Sequence, residues 1–171
     1  VKFVAAHDVR KLLLGDPLLE RFQRVPSKDN GIDLEGFESR GGSHYLGLRG
    51  PVLRGQALIA QVAGDFSKLE RIFCLSLEGK GIRSLRYHEG PGGKGFYVLA
   101  GSALAERSEF VLYRWSGRSS CFAPGGPGLT RIGRLEAREG KPEGLFTWGG
   151  TLGLVCDGAP GGAPRGIVLT P

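Results

Sequence analysis

The 171-residue chain carries 23 lysines and arginines against 17 acidic residues, a formal net charge of +6, and its 40% hydrophobic content excludes a disordered composition. The length suits one domain with a real core, and no apolar run approaches the ~18 residues that span a bilayer. The basic residues are dispersed, which reads as a solvated surface that favours an anionic partner rather than as a nucleic-acid footprint.

The chain contains no methionine and begins at Val1, so further residues are expected ahead of it; no signal-peptide pattern is visible. Val1–Ala6 reads as a short apolar strand ending at His7-Asp8. From Val9 to Phe22 the apolar residues start at helical spacing (Val9, Leu12, Leu13), and Gly15-Asp16-Pro17 breaks the pattern. Two short helical turns or a loop are expected there, followed by a polar connection to Asn30.

Beyond that connection the pattern switches to short strands. Leu34–Ser39, Tyr45–Arg49, Ala57–Val62 and Ile72–Leu77 form one set of four. Arg83–Tyr87, Phe96–Ala100, Phe110–Trp115 and Leu129–Leu135 form a second. Glu143–Thr147, Leu152–Asp157 and Ile167–Thr170 form a third set of three. Gly41-Gly42, Gly92-Gly93 and Gly149-Gly150 fall between the first and second strands of the sets, where tight hairpins need positive φ.

The openings of the three sets match: Ile32-Asp33-Leu34-Glu35-Gly36-Phe37, Gly81-Ile82-Arg83-Ser84-Leu85 and Lys141-Pro142-Glu143-Gly144-Leu145-Phe146. A period of roughly 40–50 residues built of short strands points to an all-β, propeller-like array of about three antiparallel four-stranded blades, the last incomplete. The chain divides into residues 1–30 (the remnant of a preceding blade and a short helical connection) and blades 31–79, 80–139 and 140–171. An open array of this kind has a route to self-association, and Val1–Ala6 is a candidate to complete the last blade.

Aligning the repeats puts Glu35, Arg83 and Glu143 at one equivalent position. The first strand of a propeller blade is the innermost, so these side chains are expected to converge near a shared axis. They would form a polar ligand site there, or Arg83 would pair with the two glutamates and tie the blades together. The second-strand ends His7-Asp8, Arg49-Gly50, Gly101-Ser102 and Asp157-Gly158 are also equivalent. Arg49 and Arg54 flank a Pro-containing turn and suit a carboxylate or phosphate, or brace the loop against Glu35. The ligand-binding candidates are therefore Glu35, Arg49, Arg54, Arg83, Glu143 and Asp157. Asp33 and Glu35 alternate on one strand and are weak candidates for calcium, which takes several oxygen ligands.

No catalytic triad is visible. Gly90-Pro91-Gly92-Gly93-Lys94-Gly95 matches a dinucleotide-type glycine pattern but precedes a strand, so it reads as a hairpin loop. Cys74 and Cys156 lie within apolar strand patterns and read as buried inert thiols. Cys121 sits in a looser segment and is the one expected to react.

The runs from Gly31 to Phe37 and from Leu46 to Gly55, with Gly81-Ile82-Arg83, Leu112-Tyr113-Arg114-Trp115 and Lys141-Pro142-Glu143-Gly144-Leu145, resemble the bacterial family named for its domain of unknown function 3616. The resemblance runs from about His7 to the end. It implies a propeller-like fold, a place as part of a longer protein, and a bacterial setting, either cytoplasmic or exported after loss of an N-terminal segment. It implies no activity. The strand openings also look like those of phytase-like and esterase-like propellers, which set acidic residues and calcium around a channel; here Arg83 stands where such an acid would be. The leading expectation is a non-catalytic binding or interaction propeller for an anionic ligand. The alternative is a phosphoester or ester hydrolase with Glu35 or Glu143 as general base, Arg49 or Arg83 holding the developing charge, and calcium as its cofactor.

Overall fold

Period-two alternation and glycine turns produce eleven strands in the computed structural model, which describes residues 6–104, 109–118, 121, 128–135 and 140–169. Ten of the expected strands are present, with bounds wider by a few residues at most ends; the last one, expected over Ile167–Thr170, is found at Arg165–Ile167 and shares only Ile167 with that expectation, Thr170 lying outside the described residues. β1 (Asp33–Arg40), β2 (Ser43–Gly50), β3 (Gln56–Ala63) and β4 (Leu69–Ser76) form one antiparallel sheet in chain order. β5 (Gly81–Gly90), β6 (Gly93–Gly101), β7 (Phe110–Trp115) and β8 (Leu129–Leu135) form the second. β9 (Lys141–Trp148), β10 (Thr151–Asp157) and β11 (Arg165–Ile167) form the third, with β10 in the middle.

The alternation decides how the sheets stack. In β3, Leu58, Ala60 and Val62 point to one face and pack with Leu13, Leu19 and Ile32 of the N-terminal segment. Ala57 and Ile59 point to the other face and join Phe73, Leu75 and the second sheet's Ile82, Leu85, Val98 and Trp115. The run Phe96-Tyr97-Val98-Leu99-Ala100 is apolar throughout because the middle sheet is buried on both faces. Phe96, Val98 and Ala100 meet the first sheet, while Tyr97 and Leu99 meet Leu145, Leu152 and Leu154 of the third. The opposite face of the third sheet leaves Trp148 81% exposed and Val155 37% exposed.

The N-terminal segment departs from the expected strand. Ala6, His7 and Asp8 lie in α1 (Ala6–Leu14), so His7-Asp8 is not a strand end; Val1–Ala5 lie outside the described residues. The strength of the Val9-Leu12-Leu13 helical spacing wins, and Leu13 is fully buried against the first sheet. α2 (Pro17–Glu20) begins with Asp16 accepting from the Leu18 amide at 2.8 Å and with proline in its first turn.

The cysteine reading is corrected as well. Cys74 on β4 and Cys121 in the β7–β8 connection form a disulfide that ties the first sheet to the second, so neither is a free thiol. Only Cys156 is free, and it is buried in the core between the second and third sheets.

Candidate functional site

In each sheet the pairing of the first two strands slips by one residue, and the extra residue is charged. Leu34 faces Leu48 and Gly36 faces Gly47, leaving Glu35 unpaired. Ile82 faces Ala100 and Ser84 faces Leu99, leaving Arg83 unpaired. Pro142 faces Cys156 and Gly144 faces Val155, leaving Glu143 unpaired. A bulge bends its strand and re-aims the inserted side chain. Because β5 packs against β1 on one side and β9 on the other, the three re-aimed side chains meet.

Arg83 is the hub. Its Nη1 donates to both carboxylate oxygens of Glu35, at 3.3 and 3.0 Å, and its Nη2 donates to the Ser102 carbonyl at 2.9 Å. The same Nη1 lies 3.6 Å from Glu143 Oε1. Arg49 reaches in from β2, with Nη2 2.5 Å from Asp33 Oδ2 and Nη1 3.0 Å from Glu35 Oε1. The Lys141 ammonium closes on Glu143 from the third sheet. The Arg83 side chain is 3% exposed, against 21% for Glu35 and 28% for Glu143, so the guanidinium is sealed beneath its carboxylates.

Gly81 makes this approach sterically feasible. A Cβ there would lie 1.9 Å from the Arg49 carbonyl oxygen, so only glycine lets the start of β5 come against the end of β2. That contact brings Arg49 and Arg83 within reach of the same carboxylate. Farther along the first strands a second rung forms. Glu38 accepts from the Tyr87 amide at 2.7 Å, Arg86 Nε lies 3.7 Å from Glu38, and Arg86 Nη2 donates to Thr147 Oγ1 at 3.2 Å. Ser84 Oγ adds a tie between the second and third sheets by accepting from the Leu145 amide at 3.0 Å.

The structure thus gathers Glu35, Arg49, Arg83 and Glu143, with Asp33 beside them. Arg54 stands exposed at the tip of the β2–β3 turn with φ +50°, and Asp157 is exposed at the end of β10, opposite Lys141 in register. Asp33 and Glu35 do face one another, but the Arg49 guanidinium occupies the space between them. Among the described residues no group of three or more His, Cys, Asp or Glu is placed to hold a metal ion. Sequence reasoning missed Lys141 and the Glu38–Arg86–Thr147 rung. Lys141 opens the third repeat, which was a usable signal; Thr147 lies one alignment position beyond Glu38 and Arg86, and only the stacking of the sheets brings it to them.

The family described as "Protein of unknown function (DUF3616)" matches residues 3–125. The chain belongs to the DUF3616 family. No curated protein and no solved structure matches it. The DUF3616 match takes in the first sheet and the strands β5–β7 of the second, so Glu35, Arg49 and Arg83 lie inside it and Glu143 lies beyond it.

Proposed function

We propose that this DUF3616 chain is a non-catalytic binding module, its three sheets standing as the blades of a propeller-like array around the edge where β1, β5 and β9 meet. The arginine–glutamate cluster is then a clamp at the axis that sets the blades in register and leaves a charge-balanced polar face. One observation carries the reading: Glu35 is engaged by two guanidiniums, Arg83 and Arg49, and Glu143 by Arg83 and Lys141. A general base needs an oxygen aimed at the proton it takes, and a carboxylate held by two cations is tuned for pairing instead. The equivalence of the three bulges supports the blade arrangement, since one structural device recurs in each sheet.

The test is a panel of ester and phosphoester substrates assayed with the wild type and Glu35→Gln. The clamp predicts no turnover by either protein. Turnover by the wild type that disappears in a folded Glu35→Gln protein would overturn the reading in favour of a hydrolase.

A further inference from the structure

At the opposite end of β1 from Glu35, roughly 17 Å along the strand at 3.3–3.4 Å per residue, the first two sheets diverge. Beyond their shared core they leave a cleft of about 650 Å³. Its base is aromatic. Tyr45 and Phe96 have ring centroids 4.7 Å apart at 51°, and Tyr87 meets Phe96 edge-on at 81°. Arg40, Lys94 and Arg118 line it, and among the described residues no acidic side chain does. Arg40 lies over the Tyr87 ring and, with Lys94, contacts Glu89 at the rim. Arg118 is exposed and, among the described residues, its guanidinium pairs with no carboxylate.

The polar wall is set in advance. Ser43 Oγ donates to Glu70 at 2.8 Å, and the Gln61 amide donates to both Ser43 and Glu70. These bonds orient the Gln61 amide, which lines the cleft beside Tyr45. A cleft of this volume is the size of a small-ligand site. The tilted rings offer no pair of parallel faces to sandwich a nucleobase. Phe96 is buried and Arg40 covers the Tyr87 ring, so the half-buried Tyr45 is the ring left to meet the C–H side of a sugar, with the Ser43 and Gln61 side chains near it for hydroxyls and the cations for a negative substituent.

We propose that this cleft binds a sugar ring bearing a carboxylate or phosphate. The inference rests on the reading of the chain as a binding module but shares no residue with the arginine–glutamate cluster. Titration calorimetry with glucuronate, glucose 6-phosphate, glucose and inorganic phosphate tests it, using the wild type, Arg118→Ala and Lys94→Ala; both substitutions are at exposed positions. At least one charged sugar should bind roughly tenfold or more tighter than both glucose and phosphate, and Arg118→Ala should weaken it roughly fivefold to tenfold while leaving glucose unchanged. Which charged sugar binds distinguishes a carboxylate from a phosphate ligand. Phosphate binding as tightly as the tighter of the two charged sugars, both charged sugars no tighter than glucose, or an Arg118→Ala protein with unchanged affinity for the charged sugar would each overturn the proposal. Release of phosphate from bound glucose 6-phosphate would instead overturn the non-catalytic reading and leave the ligand class standing.

Discussion

Replacing Arg83 with methionine keeps most of the aliphatic stem and removes the hub of the clamp. The side chain is 3% exposed and holds Glu35, Glu143 and the Ser102 carbonyl, so the substitution strands partners rather than a surface charge. Breaking a fully buried pair from one side costs about 3–5 kcal/mol, because the remaining charge is left uncompensated. Here the stranded carboxylates are 21% and 28% exposed, and each keeps a second cation, Arg49 for Glu35 and Lys141 for Glu143. Partial hydration and those cations reduce the penalty to about 2–3 kcal/mol, a melting shift of about 4–12 °C for a chain of this length. Urea unfolding of the wild type, Arg83→Met, Glu35→Gln and the double variant measures it, and the cycle should return a coupling of about 1–2 kcal/mol between the two residues. An Arg83→Met protein within about 0.5 kcal/mol of the wild type, the range of an ordinary surface change, would refute the clamp.

The Cys74–Cys121 disulfide joins residues 47 apart in sequence, and in the chain-entropy account its loss costs about 4 kcal/mol, with about 2–4 typical of measured cases. Thiol titration of the unfolded, unreduced protein should find one free thiol, Cys156, and reduction should lower the melting temperature. Burial, with Glu78 beside it, pushes the Tyr113 hydroxyl above the usual phenol range. Folding therefore favours the neutral phenol, so its contribution is complete below about pH 10, the unfolded value, and is lost as the pH rises beyond it. Tyr113→Phe should flatten that alkaline limb in pH-dependent unfolding. Trp148 is 81% exposed and Trp115 fully buried, so Trp148→Ser should remove nearly all acrylamide-quenchable fluorescence while leaving stability within about 0.5 kcal/mol. If copies associate through the open face of the third sheet, the same variant should shift the protein toward monomer in light scattering.

The strands were legible because their code is local. The short apolar run in Gln56–Ala63 and the glycine pairs at 41–42 and 149–150 specify strand and hairpin without reference to the rest of the chain. The convergence of Glu35, Arg83 and Glu143 was legible because repeat alignment puts them at one position of the first strands, and the first strands of the three sets were expected side by side, as β1, β5 and β9 are. Features that depend on which sheet faces which were not. The disulfide needs the edge strand β4 to come near the β7–β8 connection, and nothing in the spacing of Cys74 and Cys121 says that it does. The cleft draws Arg40 and Lys94 from hairpin ends and Arg118 from a connection, residues with no shared pattern. The place of Arg54 at a turn tip with positive φ was not legible either, because its flanking of Pro51 says nothing of the backbone angle it takes.

The three bulges carry charges of alternating sign in the order β1, β5, β9. Three acids at those equivalent positions would bring three carboxylates together, and such a set needs a cation among them or protons shared between them. Arg83 on the central strand supplies that positive charge from within, between a glutamate on either side. Arg49 does the same between Asp33 and Glu35. A guanidinium spreads its charge over several donors in a plane, so one side chain can hold carboxylates on neighbouring sheets and a backbone carbonyl at once. In the proposed clamp, the guanidinium that balances the carboxylates also sets the register of the sheets.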